Sequence, residues 1–187
     1  QILDAALIEF VKNGYAATRV EDIADHVGVT KGTVYVYFET KEVLFEATIR
    51  HASTSFADLV TNAKDDQGTA CERLKSLLHA MYESLFNEPR NRDVLKLVIA
   101  EGEKFPDIVA RHDQEVIKPL IDYIENLVET GVAAGEFRMS SVVLPELIIS
   151  PLMTQAVLQI MFSDENRCDL RQLCDAHIDL LMNGLKT

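Results

Sequence analysis

The chain has 187 residues, of which 48% are hydrophobic, so it can bury a sizeable core as one large or two small domains and is not a disordered chain. It carries 18 Lys and Arg against 30 Asp and Glu, and the net charge of -12 lacks the basic excess that is usual in nucleic-acid-binding proteins. Three cysteines, no apolar run of membrane-spanning length and no secretory-signal pattern argue against a disulfide framework and a membrane protein, and predict a cytoplasmic location.

The acidic charge is concentrated away from the N-terminal quarter. Residues 1–50 hold five basic and eight acidic residues, a net of -3, whereas residues 51–187 hold 13 and 22, a net of -9. Exposed charges are screened beyond about 8–10 Å at physiological salt, so local charge matters more than the total. Because the sequence begins with Gln rather than Met, we expect the true N-terminus to precede Gln1, and a basic arm there could add positive charge.

Helical spacing of apolar residues dominates, and no alternating run is long enough to predict a sheet. The first helix is expected to stop at Asn13-Gly14. Thr18 and Glu21 then predict a capping box at the start of the second helix, and Gly28 can take the left-handed conformation that ends it.

Two further caps follow closely. Thr30 predicts the start of a third helix that runs to about Phe38, and Thr40 predicts the start of a fourth that runs to about Ala63. The fourth helix would span the boundary between a small N-terminal bundle, residues 1–48, and the remaining residues, 49–187.

The rest of the chain also reads as helical, after a polar loop at Asp65-Asp66. Pro119 predicts a kink or a break inside the seventh helix, and Pro151 a bend in the eighth. An all-α fold of about nine helices is therefore expected. The later five helices are predicted at Thr69 to about Asn87, Arg92 to about Glu103, Pro106 to Ala134, Val142 to Phe162, and Asp169 to about Leu185.

The third helix has the features of a recognition helix that lies in the DNA major groove, as in a helix-turn-helix. Val29, Val34 and Phe38 are its expected inward positions. Lys31 could reach guanine or phosphate, and Thr33 a base edge or a thymine methyl. The complete set of predicted DNA-binding residues is Thr18, Arg19, Thr30, Lys31, Gly32, Thr33, Tyr35, Val36, Tyr37 and Lys41.

Together these features resemble the DNA-binding domain of the TetR/AcrR family of bacterial transcriptional regulators over residues 2–48. Phe105 to Phe137 is also similar to a segment of many members. The residues that carry the resemblance are Gly14-Tyr15, Thr18, Ile23-Ala24, Gly28-Val29, Thr30-Lys31-Gly32-Thr33, Tyr35-Val36-Tyr37-Phe38 and Lys41.

The resemblance implies an all-helical homodimer that binds a palindromic operator, with a C-terminal domain whose small-molecule ligand alters operator affinity. The resemblance implies no enzymatic activity, and it implies no cofactor or metal. A repressor that its ligand releases from DNA is the favoured function. The fourth helix, which joins the two domains, is expected to transmit the ligand's effect.

The last two helices are the expected dimer surface, because the eighth is too apolar all round for a surface helix. The alternative is that they form the core of one monomer. The acidic composition slightly favours a neutral or cationic apolar ligand. The residues expected to line its pocket are Phe56, Met81, Tyr82, Phe86, Val98, Phe105, Ile117, Tyr123 and Gln155.

Other functions stay open at this point. Cys168, Cys174 and His177 could form a metal site if the loop before the last helix folded back. A helical small-molecule-binding or enzyme domain with a non-functional helix-turn-helix would need convergent titratable groups, which the sequence does not reveal. A protein-interaction module would bind no operator.

Overall fold

The computed structural model describes residues 1–64, 67–138, 144–162 and 169–185. These residues are almost entirely helical and contain no strand, as predicted. The α-helices are α1 (Ile2–Ala17), α2 (Val20–Val27), α3 (Lys31–Tyr37), α4 (Lys41–Ala63), α5 (Ala70–Asn87), α6 (Pro89–Glu101), α7 (Pro106–His112), α8 (Lys118–Ala133), α9 (Pro145–Phe162) and α10 (Leu170–Leu185).

The predicted seventh helix is interrupted. A π-helical turn, Asp113–Ile117, joins α7 to α8 without a gap, so nine continuous helical segments lie within the described residues. Pro119 lies in the first turn of α8, where its missing N–H costs no hydrogen bond. The kink or break predicted at Pro119 therefore corresponds to this π-helical turn, which ends two residues before the proline.

The predicted start of the eighth helix and the polar loop cannot be compared directly. Val142 and Asp65-Asp66 lie outside the described residues. The described part of the eighth helix is α9, which begins at Pro145 and contains Pro151.

The capping box predicted at Thr18 is wrong. Arg19 precedes α2 and no side chain caps that helix. Gly14, with a φ of 73° and a ψ of 168°, breaks the helical path inside α1 and disrupts its hydrogen-bond ladder. The Thr18 hydroxyl lies 2.7 Å from the Gly14 carbonyl and 3.0 Å from that of Glu9, so it donates within α1 instead.

The helices group into two compact units. The N-terminal unit comprises residues 1–55 and 90–114, and the C-terminal unit comprises residues 56–89 and 115–187. The N-terminal unit thus includes α6 and α7 as well as the predicted bundle. Its core contains the buried side chains of Phe10, Ile23, Val34 and Phe45.

The C-terminal unit is built around α5, which contacts α8 and α10. Leu74, Leu78, Ile124 and Leu127 are fully buried there. Such apolar burial is the main favourable contribution to the folding free energy, at about 25 cal/mol for each Å² removed from water.

Candidate DNA-binding surface

The position of α3 is set by one cap and one buried anchor. The Thr30 hydroxyl accepts a hydrogen bond from the Thr33 backbone N–H at 3.2 Å, as predicted. Val34 is 0% exposed, while Val29 and Phe38 pack against the same core from either end. Gly28, with a φ of 72°, takes the left-handed conformation needed for the tight turn before α3.

The opposite face of α3 points to solvent. Val36 is 80% exposed, Tyr37 69% and Tyr35 36%, and Lys31 and Gly32 are also exposed. Val36 and Tyr37 are too exposed to contribute to the core. One face of the seven-residue helix α3 is therefore open to a binding partner along its length.

Gly32 has no structural requirement within the protein. A Cβ at this position would meet only the Thr30 hydroxyl oxygen at 3.6 Å, which is ordinary van der Waals contact. Its φ also lies outside the range that favours glycine. Since glycine costs about 1 kcal/mol relative to alanine inside a helix, the absence of a side chain points to close approach by another molecule.

Two predicted cations are already engaged. Lys31 Nζ lies 2.6 Å from Glu21 Oε1 and 5.6 Å from the centre of the Tyr35 ring. Lys41 Nζ donates to the Ala16 carbonyl at 3.3 Å and lies over the Tyr15 ring at 4.6 Å. Burial lowers the pKa of Lys41, and the charge of Glu101 opposes that shift.

The two residues before α2 differ. Arg19 is exposed, as DNA contact requires. Thr18 is 2% exposed and its hydroxyl is occupied inside α1, so the prediction that its side chain contacts DNA is not supported.

The comparisons with known proteins identify the family. A family model described as "Bacterial regulatory proteins, tetR family" matches residues 2–48. A second, described as "AefR-like transcriptional repressor, C-terminal domain", matches residues 72–167, which is more than half of the chain. The chain belongs to the TetR family.

Relatives of this TetR-family protein match it over much of its length. The fatty acid metabolism regulator protein of Bacillus subtilis is 24% identical over 186 residues, covering 99% of this chain and 94% of that protein. YvkB, an uncharacterized HTH-type transcriptional regulator of B. subtilis, is 30% identical over 135 residues, 71% of this chain and 68% of the relative. The crystal structure of FadR from B. subtilis in complex with stearoyl-CoA superposes with a TM-score of 0.78 at 21% identity, covering 98% of this chain and 97% of that chain.

This TetR-family protein is therefore a ligand-responsive, DNA-binding transcriptional repressor, and not an enzyme. Among the described residues one helix, α9, has the length and composition to cross a membrane, with a mean hydropathy of 1.2. A helix buried in the core of a soluble protein meets the same criterion. In a family of soluble DNA-binding proteins, α9 does not indicate a membrane protein.

The residues predicted to line an effector pocket are divided between the two units. Val98 packs against the core of the N-terminal unit, and Phe105 contacts Tyr15 and Phe45 there, with ring centres 4.5 and 5.2 Å away. Val98 on α6 and Phe105 just before α7 therefore belong to the N-terminal unit. The others lie in the C-terminal unit: Phe56, Met81, Tyr82, Phe86, Ile117, Tyr123 and Gln155.

Among these, Tyr82 and Phe86 line a groove of about 650 Å³ between α5 and α10. Met81 is fully buried in the core. Tyr123 is also buried, and its hydroxyl donates to the Ala63 carbonyl and accepts from Arg73 at 3.1 Å. Ile117 and Gln155 are half-buried, as is Phe56.

The metal set considered from sequence is not the one that the structure brings together. Cys174 Sγ lies 3.4 Å from His79 Nδ1, and His177 Nδ1 lies 3.2 Å from the Tyr82 hydroxyl. Cys168 lies outside the described residues. His79 was missed because it is 95 positions from Cys174 and no spacing rule links them.

Proposed function

We propose that the exposed face of α3 binds the major groove of a palindromic operator. The observation that supports this best is the solvent exposure of Tyr35, Val36 and Tyr37 beside Gly32, on a helix held from behind by the fully buried Val34. Recognition helices of helix-turn-helix proteins use such a face to reach base edges.

Each side chain on this face has chemistry suited to a different part of DNA. Lys31 can leave Glu21 and donate to guanine or phosphate, and the Thr33 side chain can contact a base edge or a thymine methyl group. Tyr35 and Tyr37 present hydroxyls that can donate to phosphate oxygens. Val36 offers an apolar contact.

Three residues beside this face would position the protein on the DNA backbone. Arg19 is exposed in front of α2, and Thr30 is exposed at the start of α3. Lys41 uses one N–H on the Ala16 carbonyl, and its ammonium has two further donors for phosphate. Contacts of this kind fix register without reading sequence.

Two copies would pair through α9 and α10. Leu147 on α9 is 61% exposed, Leu180 on α10 is 73% exposed, and Met161 and Phe162 are exposed as well. Part of the predicted surface instead belongs to the core of one chain, since Ile148 is buried. An exposed apolar face of this extent favours pairing with a second copy, whose two-fold axis would place the recognition helices about 34–36 Å apart or at a longer helical multiple.

The effector that we propose is a coenzyme A thioester of a fatty acid. FadR from B. subtilis, the structural relative above, was crystallised with stearoyl-CoA, and a relative that spans nearly all of this chain is named for fatty acid metabolism. Arg73 of the C-terminal unit has chemistry suited to such an anion. This proposal replaces the neutral or cationic ligand expected from composition.

Arg73 is half-buried, its Nε lacks a hydrogen-bond partner among the described residues, and its guanidinium lies 5.7 Å from the centre of the Tyr123 ring. No carboxylate of the described residues forms a salt bridge with it. A guanidinium in this state can bind a phosphate or carboxylate of a ligand.

The ligand would release the protein from DNA if it favoured a dimer in which the separation of the two recognition helices does not fit the operator. Two helical connections run continuously from one unit to the other. One is α4, which begins in the N-terminal unit, and the other contains the π-helical turn Asp113–Ile117, inside which the chain passes between the units. We propose a cytoplasmic location for this process, where operator DNA is accessible.

A mobility-shift assay with the DNA upstream of the protein's own gene tests the proposal. The full chain should shift it, less strongly as salt rises, and stearoyl-CoA should release it. Tyr37→Ala should weaken binding by about 1–3 kcal/mol. Lys12→Ala, which alters an exposed lysine on α1, is the control and should leave affinity nearly unchanged. Equal affinity of the wild-type and Tyr37→Ala proteins would contradict the proposed recognition face.

A further inference from the structure

The groove between α5 and α10 contains more ionisable than apolar side chains. One wall presents His79 and Glu83, four residues apart on α5, and the other presents Cys174 and Asp175 of α10. Phe86 and Leu170 provide apolar lining. This mixture is unusual for a groove that would receive only an acyl chain.

Three of these side chains converge on one point. His79 Nδ1 lies 3.4 Å from Cys174 Sγ, and the ligating atoms of His79, Cys174 and Asp175 all lie within 4.8 Å of one another. Ligands of a tetrahedral zinc ion lie about 2.0–2.3 Å from the metal, and therefore about 3.3–3.8 Å apart. The His–Cys separation already fits, and rotation of the exposed His79 and Asp175 side chains can bring the third atom into range.

We propose that His79, Cys174 and Asp175 form a binding site for a divalent transition-metal ion of the zinc type, with Glu83 or water as the fourth ligand. Nitrogen, sulfur and oxygen donors in a four-coordinate arrangement suit Zn²⁺ and do not suit Mg²⁺ or Ca²⁺, which take oxygen ligands. The proposal rests on the geometry of these side chains, and not on the operator and effector functions proposed above.

The two helices hold the ligands on a defined frame. Cys174 is buried, and it lies just inside the first turns of α10. Asp169 fixes the start of that helix by accepting hydrogen bonds from the backbone N–H groups of Arg171 and Gln172, at 3.0 and 3.2 Å. A site on packed helices is better defined than one on loops.

The Cys174 thiol is also influenced by the charges of the carboxylates of Asp175 and Glu83. Burial raises the pKa of Cys174, and the negative charges of Asp175 and Glu83 raise it further. A divalent cation bound between these side chains would face the negative charges of both carboxylates, which would favour its binding.

Cobalt(II) titration of the full-length protein tests this assignment directly. Thiolate coordination should produce a sulfur-to-cobalt charge-transfer band, together with the intense visible bands of tetrahedral cobalt, at one ion for each chain. Zinc should displace the cobalt and raise the melting temperature, because a ligand that binds only the folded state stabilises it.

Substitutions of the proposed ligands test which side chains bind the metal. Cys174→Ser and His79→Gln should each weaken zinc binding by about 100-fold or more, since outer-shell changes alone cost about 10–100-fold. Cys71→Ser is the matched control, because the Cys71 thiol donates to Met182 Sδ at 3.5 Å and is not part of the cluster. Cys71→Ser should retain the cobalt–thiolate band.

Three results would overturn the proposal. These are an absent charge-transfer band, unchanged zinc affinity in Cys174→Ser, and equal loss in Cys71→Ser. Far-ultraviolet circular dichroism of the metal-free proteins separates ligand loss from misfolding. If Cys174→Ser were unfolded, His79→Gln would decide, because that side chain is exposed and its replacement leaves the core intact.

Discussion

Glu101 Oε1 accepts a hydrogen bond from the Tyr15 backbone N–H at 3.0 Å, joining residues 86 positions apart within the N-terminal unit. Tyr15 directly follows Gly14, where α1 departs from helical geometry. The other carboxylate oxygen of Glu101 lies 2.8 Å from Lys104 Nζ, and Glu101 itself is 6% exposed. A buried carboxylate of α6 therefore satisfies the backbone at a break in α1.

Glu101→Gln should lower the free energy of unfolding by about 1–3 kcal/mol, because a buried charge-assisted hydrogen bond is lost or weakened. Urea denaturation measures this change. Glu103→Gln is the matched control, since Glu103 is exposed two residues further along. Equal effects of the two substitutions would show that Glu101 has no special role.

The same carboxylate should contribute to acid sensitivity. The hydrogen bond from Lys104 lowers the pKa of Glu101, burial opposes this shift, and the Tyr15 N–H adds to it. A lowered folded-state pKa gives stability that is present above the ordinary value of 4.5 and lost as pH falls through the lower folded value. The difference in stability between wild type and Glu101→Gln should therefore shrink below about pH 4.5.

Gly32→Ala separates stability from DNA binding. A Cβ at Gly32 meets no close neighbour, so the substitution should raise the free energy of unfolding by up to about 1 kcal/mol. It should also weaken operator binding, by about 1–3 kcal/mol, if the α3 backbone approaches DNA closely. Thermal denaturation and mobility shift on the same protein measure both.

Gly28→Ala provides the opposite stability result. Gly28 has a φ of 72°, so alanine there should destabilise the turn by about 1–2 kcal/mol. A Gly32→Ala protein that binds operator as tightly as wild type would contradict close backbone approach at α3.

Much of the N-terminal unit follows from local sequence. Thr30 and Thr40 cap α3 and α4 as predicted, because an N-cap needs only a hydroxyl at the correct offset. Thr18 has the same signature, yet its hydroxyl bonds within α1, because the distorted backbone at Gly14 provides nearer acceptors. Local patterns did not reveal that competition.

The long-range contacts were harder to predict. Phe105 looked like a pocket residue from its aromatic character, but its position beside Tyr15 depends on how α6 and α7 pack. The His79–Cys174 pair depends on the pairing of α5 with α10 in the same way. Helical periodicity gives the inward face of each helix and does not give its neighbour.

Glu21→Gln should tighten operator binding by a few-fold. Lys31 Nζ lies 2.6 Å from Glu21 Oε1 on the solvent-exposed surface. DNA phosphates must therefore compete with the Glu21 carboxylate for the Lys31 ammonium. Removing the carboxylate also removes a negative charge close to the DNA backbone. Competition binding at two salt concentrations measures the effect.

Asp25→Asn is the control for net charge in that experiment. Asp25 is an exposed acid on the same helix and has no hydrogen bond to Lys31 among the described contacts. If both substitutions tighten binding equally, the effect arises from general charge and not from release of Lys31.

Arg73→Ala should make the repressor less sensitive to acyl-CoA while leaving its ligand-free operator affinity unchanged. Losing a hydrogen bond to a charged group costs about 1.5–3 kcal/mol, so release should need roughly 10–100 times more stearoyl-CoA. Lys75→Ala removes a half-buried cation two residues further along α5 and serves as the control. Because both substitutions remove one positive charge from one helix, only a specific role of Arg73 predicts different responses. If both variants need equally more stearoyl-CoA for release, the ligand responds to the overall positive charge of the C-terminal unit and not to Arg73 itself. If neither variant needs more, the anionic group of the ligand binds elsewhere.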